Sequence, residues 1–497
     1  MEMILNFPCL SILLAMFSAI ISSALNRKWA RHLNTFVVAI VGILSAAVLW
    51  LTLSEGKSYT YKMGHFPAPF GNEIRFGPLE AGMALFFAVI MLLSLNGGRE
   101  KIRVEIDPSK EKLYYIMINL LLSSLLALVY TNDIFTAYVF VEINTISACG
   151  MIVITEHGRT IEAATRYMIM SLLGSGLFLI GICILYDMTG HLLMEYIYVS
   201  ISNIMAAGTF RIPMMVSIAL IVVGLAIKSA LFPFHAWLPD AYGYSTVTSA
   251  AMLSSLVSKG YIFLLIKLIY RVIGFQVFYD SRIINVLFIF GLAGMIMGSV
   301  YAIRENDIRR MISYSSVAQI GYIYMGFGLG NVTGMVASIF HILSHGATKS
   351  LLFVAAVGLT DVSGGRKDFG ELTGAGYRNK PAGAAFLVGS LSMVGIPLFS
   401  GFISKLLFAQ AAVQNPYKAL AALIVLAVST VLNAIYFMKT VIRIYTPVEE
   451  GKYKDTLPRK NIVYVVTLGF FVVLNLVLGM FSQPITDWIF RGLSMFA

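Results

Sequence analysis

Residues 113–130, LYYIMINLLLSSLLALVY, carry no charged side chain and show no alternation of apolar and polar positions. A helix needs about 20 apolar residues to cross the hydrocarbon of a bilayer. A membrane β-barrel would show alternating segments of about 10 residues. This stretch therefore reads as a transmembrane helix, as does VLNAIYFMKTVIRIY at 431–445. Extending outward in both directions gives about fourteen such stretches, which predicts an all-α polytopic membrane protein.

Composition points the same way. Of 497 residues, 58% are apolar and 12% charged, against about 25% charged in soluble domains. That leaves too little polar surface for a water-soluble chain. Cys9, Cys149 and Cys183 lie in apolar stretches without a CxxC pair and read as small core residues. In a soluble protein the net charge of +11 would suggest nucleic acid. Here it reads as Lys and Arg gathered in cytoplasmic loops, with no nucleic-acid partner. Arg27, Lys28 and Arg31 follow the first span and place the N-terminus outside. With that start, inside loops hold about 22 Lys and Arg and outside loops about 8. REKIRVEIDPSKEK at 99–112, GGRKDFGELTGAGYRNK at 364–380 and VEEGKYKDTLPRK at 448–460 carry much of this bias. The expectation is an even number of spans in the cytoplasmic membrane with both termini on the outer face. The tail from Gln483 to Ala497 is amphipathic and suits an interfacial helix anchored by Trp488.

Two spans are predicted to be broken. The seventh, 211–236, ends in LFPFH at 231–235, where Pro233 withholds a backbone donor. The twelfth, 382–411, contains GIPLFSG at 395–401. Backbone freed at membrane depth must be satisfied by protein or by water in a cavity. Helices broken at matching places in two halves point to an ion or substrate site. The breaks are five spans apart, an odd offset, which predicts two inverted five-helix repeats over 113–271 and 272–445. Three helices in 1–112 precede them, and a last helix and interfacial tail in 446–497 follow.

Six lysines fall within spans: Lys228, Lys259, Lys267, Lys349, Lys405 and Lys439. His341 and His345 join them, and Glu142 reads as the only carboxylate deep inside a span. Each central charge costs about 2.5–3.5 kcal/mol on insertion scales, so these groups need partners or a purpose. Glu142 is about ten residues into its span, or about 15 Å deep. Lys228 is midway along the seventh span. Pairing would offset part of the desolvation cost and couple the protonation of the two groups; the alternative is a static salt bridge. Lys259 belongs to the same polar layer. Lys267 and Lys439 are placed to snorkel. His341, His345 and Lys349 recur every four residues in HILSHGATKSLLF at 341–353 and form one polar stripe. Histidine titrates near neutrality, which suits a proton relay. Satisfied core histidines are the alternative, while a helical zinc site lacks an acid nearby in sequence. Lys405 follows the second break by four residues and would end the stripe. His235 is a candidate bridge from the Glu142–Lys228 pair to Lys259, and Asp240 and Tyr242 read as structural. No phosphate-binding loop, dinucleotide GxGxxG, iron–sulfur cysteine set or nucleophile elbow occurs, so neither cofactor nor metal is expected.

Six stretches carry a family resemblance: VEINTISACG (141–150), KSALFPFHAWLPDAY (228–242), SSLVSKGYIF (254–263), RRMISYSSVAQIGY (309–322), HILSHGATKSLLF and GIPLFSGFISK (395–405). They resemble the antiporter-like subunits shared by Mrp cation/proton antiporters, respiratory complex I and membrane-bound hydrogenases. VEINTISACG and the loop GGRKDFGELTG look closest to the D-type subunits of Mrp antiporters and their hydrogenase relatives, and Lys405 stands where some relatives carry Glu. The resemblance implies fourteen helices, two inverted five-helix units and a central hydrophilic axis. It implies that Glu142 and Lys228 form the input-side pair, that Lys259, His341 and His345 form the central relay, and that Lys405 is the exit-side group. Lys349 joins the translocation set through its place on the stripe. The partners implied are other membrane subunits of a hetero-oligomeric antiporter or of a respiratory or hydrogenase complex, with H+ and Na+ as the candidate ions. The alternatives are a proton-pumping subunit of an NADH-quinone oxidoreductase and a scaffold subunit that transports nothing.

Overall fold

The computed structural model describes residues 2–66, 71–447 and 461–496; the basic loop at 448–460 lies outside them. In chain order its main helices are α1 (Phe7–Ala24), α2 (Arg27–Glu55), α3 (Pro78–Glu105), α4 (Glu111–Tyr130), α5 (Ile134–Val153), α6 (Gly158–Thr189), α7 (Arg211–Lys228), α8 (Val247–Ile273), α9 (Ile283–Arg304), α10 (Ile308–Gly328), α11 (Val332–Asp361), α12 (Lys380–Val394), α13 (Ser400–Val413), α14 (Pro416–Ile444), α15 (Ile462–Met480) and α16 (Ser482–Ser494). Twelve of these, α1–α9, α11, α14 and α15, are long and apolar enough to cross a membrane. The two other stretches expected to span are α10, which is long but rich in Ser and Tyr, and the α12–α13 pair, interrupted at 395–399. One small departure from the all-α expectation lies between α2 and α3. There β1 (Tyr59–Lys62) and β2 (Glu73–Phe76) pair antiparallel, with Tyr59 opposite Phe76.

Local chemistry sets the helix ends. Asn26, Asp133, Thr246, Asp307 and Asn331 each accept a backbone N–H from the first turn of the helix that follows, satisfying donors that no intrahelical carbonyl can reach. The peripheral helices are apolar on both faces. On α2, Phe36, Ile43 and Trp50 point outward while Val41, Ser45 and Val48 point in. In water such an outward face would be a liability; in hydrocarbon it is the required surface.

The centre is organised differently. The spanning windows of α8 and α11 are buried on every side, yet these helices carry Lys259, Lys267, His341, His345 and Lys349 together with many serines. The polar groups of this chain therefore face one another in the middle of the bundle, away from lipid. Beside them α6 and α7 cross closely. A Cβ on Gly224 would meet the carbonyl oxygen of Gly174 at 2.6 Å, so only glycine permits this approach.

Several expectations need correction. Lys267 does not snorkel. It is fully buried, and its Nζ donates to the carbonyls of Val129 (2.7 Å) and Thr131 (2.6 Å), capping the end of α4. Glu142 is 24% exposed, whereas Glu80, in the first turn of α3, is a carboxylate the sequence did not single out and is 1% exposed. Cys183 faces outward on α6 and is not a core residue, while Cys9 and Cys149 are half-buried and pack against the core. Trp488 anchors α16 to protein, donating from Nε1 to the carbonyl of Pro78 at 3.1 Å. Lys439 is exposed on α14, as a snorkelling residue should be.

Candidate functional site

Lys228 is the last residue of α7, where regular helix gives way to the turns that hold Pro233. Its side chain is 0% exposed, and its Nζ lies 3.7 Å from Oε1 of Glu142 on α5, whose side chain is 24% exposed. The amine also donates to Thr145 Oγ1 at 2.6 Å and stands 5.4 Å from the Tyr261 ring. Tyr261 in turn donates to Asn144 Oδ1 at 2.9 Å. The expected pair is thus present within a polar layer shared by α5, α7 and α8. It is asymmetric: the cation is enclosed, while the Glu142 side chain is partly exposed with its Oε1 buried.

Lys259 lies two residues before Tyr261 on α8. Directly ahead of it, Leu253–Val257 form a turn of π-helix, a distortion frequent at functional sites. The Lys259 amine donates to the Ser254 carbonyl in that turn and to Ser258 Oγ at 3.1 Å. Hydroxyls continue from the same turn: Ser255 Oγ is bonded to Ser350 Oγ at 2.8 Å, and Ser350 Oγ lies 3.3 Å from Ser94 Oγ, joining α8, α11 and α3.

On α11 the rings of His341 and His345 stack, with centroids 5.7 Å apart and planes 14° apart. His341 Nδ1 bonds Ser404 Oγ on α13 at 2.5 Å. Among the described residues no protein group hydrogen-bonds either ring nitrogen of His345. Lys349 is anchored to α10, donating to the Ile312 carbonyl at 2.8 Å and to Ser315 Oγ. The Lys405 amine caps the end of α12, donating to the Val394 carbonyl at 2.6 Å and the Met393 carbonyl at 3.3 Å.

Two contributors escaped the sequence reading. Tyr322 on α10 has its ring 5.6 Å from His341 and 5.9 Å from the Lys405 amine, so it stands between the two. Asn475 on α15 gathers the polar atoms around the α12–α13 break. Its Oδ1 accepts from Thr348 Oγ1 at 2.7 Å and from Ser392 Oγ and Ser400 Oγ, both at 3.2 Å. Tyr322 closes one of the motifs quoted above, but its partners are far away in sequence. Nothing local marks Asn475 beyond being an amide in an apolar span.

Other expected residues lie apart. His235 stacks between Phe232 and Tyr301, with centroids at 5.2 and 5.8 Å, and no described contact joins it to Lys259. Asp240 is structural: it pairs with Arg166 (2.7 Å) and with Arg310. Glu80 and Arg271 form a separate buried ion pair at 2.5 Å, with Arg271 packed on the Phe496 ring at 4.2 Å. Among the described residues no three His, Cys, Asp or Glu side chains gather as a metal site would require.

A buried series of amines and imidazoles with broken helices beside both ends is a chemistry many membrane proteins could share, so similarity must decide the family. The profile of a family described as NADH:quinone oxidoreductase/Mrp antiporter, TM, matches residues 131–432. The chain belongs to this family. All the residues described from Glu142 to Lys405 fall inside the match. NADH-quinone oxidoreductase subunit N of Desulforudis audaxviator is 31% identical over 497 residues, covering 97% of each chain. The D-type subunit of the Na(+)/H(+) antiporter of Alkalihalophilus pseudofirmus is 26% identical over 457 residues, covering 90% of this chain and 89% of that one. A chain of the membrane-bound sulfane sulfur reductase, an archaeal respiratory membrane complex, superposes with a TM-score of 0.88 at 24% identity, covering 100% of this chain and 98% of that chain. A chain of the Mrp complex from Dietzia sp. does so at 0.86 and 22%, covering 99% and 97%. The superpositions establish the fold. Of the two sequence relatives, the oxidoreductase subunit shares more residues with this chain.

Proposed function

We propose that this chain is an antiporter-like, proton-translocating membrane subunit of a multisubunit complex. Its path for H+ runs through Glu142, Lys228, Lys259, His345, His341 and Lys405, with Lys349 setting the charge beside the histidines. One observation carries this reading: the amines and imidazoles on α7, α8 and α11 are buried inside the bundle, where each charge would otherwise be costly, and the half-buried Lys405 of α13 stands at their end. The relatives named above are subunits of a Na(+)/H(+) antiporter and of an NADH-quinone oxidoreductase. The driving energy accordingly comes from a partner, through a sodium gradient or a redox reaction. The membrane is the cytoplasmic one, both termini face outward, and α10 and the α12–α13 pair complete fourteen spans. Two inverted units, 113–271 and 272–445, then place one break in each.

The lever is electrostatic. Unit charges 4 Å apart interact by about 4 kcal/mol at an effective dielectric of about 20, or a factor of about a thousand in proton affinity. The Glu142–Lys228 separation of 3.7 Å is in that range. Glu142 is the partly exposed member, so a neighbouring subunit can draw on it. When the pair loosens, the charge on Lys228 is no longer balanced and lowers the proton affinity of Lys259. The proton moves to the histidines, past Tyr322 and on to Lys405. A scaffolding role is favoured only for Lys267 and Arg271, whose charges are committed to carbonyls and to Glu80. The test replaces Glu142 or Lys228 by Ala in the assembled complex. The expected result is loss of ion transport with assembly intact; unchanged transport rules the role out.

A further inference from the structure

A groove of about 660 Å³ runs between α3 and α15, and its walls are almost wholly apolar, with Leu92 and Leu93 facing Val466 and Phe470. Its polar end is formed by Asn96 and Arg99. The same two residues line an adjoining cavity with Arg31 and His32. Arg31 in turn lines a further cavity of about 360 Å³ with Arg27, Lys28, Arg103 and Glu111. The three spaces, the middle one of about 70 Å³, thus adjoin through shared side chains and lie in series, oily at one end and cationic at the other.

The cationic end is short of counter-charge. Five basic groups face one carboxylate, and among the described residues none of the five forms an ion pair within 4 Å. Arg27 and Lys28 open α2, where the helix dipole already disfavours cations. Along α3, Leu92, Asn96, Arg99 and Arg103 follow one another on a single face at helical spacing. That face grades from apolar through amide to guanidinium, the same order as the tail, glycerol and phosphate regions of a lipid.

We infer that this series of spaces binds an anionic phospholipid, with an acyl chain in the α3–α15 groove and its phosphate between Arg99 and Arg31. A small free anion would leave the groove unfilled, and a zwitterionic lipid would leave the excess of cations unbalanced. The basic residues belong to the loops expected on the cytoplasmic side, where basic pockets between spanning helices meet anionic headgroups. The inference does not depend on the proton path.

The test is native mass spectrometry of the full chain, stripped of lipid in detergent and titrated with phosphatidylglycerol or phosphatidylcholine. The wild type is expected to hold one phosphatidylglycerol about tenfold more tightly than phosphatidylcholine. The double variant R31Q/R99Q is expected to lose that preference, and excess inorganic phosphate is expected not to compete. Val466→Trp fills the groove without touching a charge and should weaken both lipids, which keeps the test open if the arginine variant fails to fold. Equal binding of the two lipids, a preference retained in R31Q/R99Q, or displacement by phosphate overturns the inference. So does an assembled complex that carries no phosphatidylglycerol while the isolated chain binds it, since the groove would then belong to a partner's helix.

Discussion

At the scale of single residues, identity and environment do different work. Lys228, Lys259, Lys267, Lys349 and Lys405 are chemically alike, yet the structure separates them by what their amines touch. Lys228 faces a carboxylate, Lys267 closes the end of a helix, and Lys405 caps a broken one. Sequence alone flagged all five and misplaced Lys267, because the carbonyls that hold it come from residues 129 and 131, far away along the chain. Tyr322 is the residue-scale prediction. A ring beside a buried amine contributes about 0.5–2 kcal/mol, so Tyr322→Leu should slow ion transport per complex by about threefold to tenfold. Tyr322→Phe, which keeps the ring and loses only the hydroxyl contacts to Ser429 and Asn433, should remain near wild type. Equal loss in both variants would shift the role from the ring to the hydroxyl. A second prediction concerns Arg271, whose removal leaves Glu80 buried and unpaired. Arg271→Met should cost about 3–5 kcal/mol, seen as a lower thermal unfolding midpoint in detergent, and E80Q/R271M should recover part of it. No recovery would mean that the pair is not what stabilises this end.

Elements were the most legible level. Long uncharged runs gave the spans, and FPFH and GIPLFSG gave both breaks, since missing donors and glycine act locally on the backbone. Gly395 indeed adopts φ +91° at the end of α12. The π-turn before Lys259 was not legible. SSLV is compatible with ordinary α-helix, and the turn is bonded by Ser350 of α11, a contact that no local pattern encodes. The hairpin at 59–76 was missed for a related reason: four-residue strands carry too little alternation to read. Asn475 is where an element prediction belongs. It is the shared acceptor for three hydroxyls at the α12–α13 break. Asn475→Ala should therefore destabilise the chain by about 1–3 kcal/mol, with faster amide hydrogen exchange centred on residues 395–399. Faster exchange elsewhere, with none at the break, would show that Asn475 does not support it.

For the whole molecule, the arrangement inverts that of a soluble protein: apolar side chains outside, serines, lysines and histidines inside, and a carboxylate of the first pair partly exposed. Composition predicted the outside, and helical spacing predicted the stripe on α11. Which helices would enclose one another could not be read from a single chain, because burial of α8 and α11 is a property of all the others packed around them. The central claim is that this enclosed series carries protons from one break to the other, and Lys259 is the link that both halves share. Proton movement should therefore be followed in proteoliposomes holding the assembled complex, comparing wild type with Lys259→Ala at equal amounts of complex. The account predicts that proton translocation is abolished while assembly and the remaining subunits' reactions persist. Translocation at the wild-type rate would contradict it.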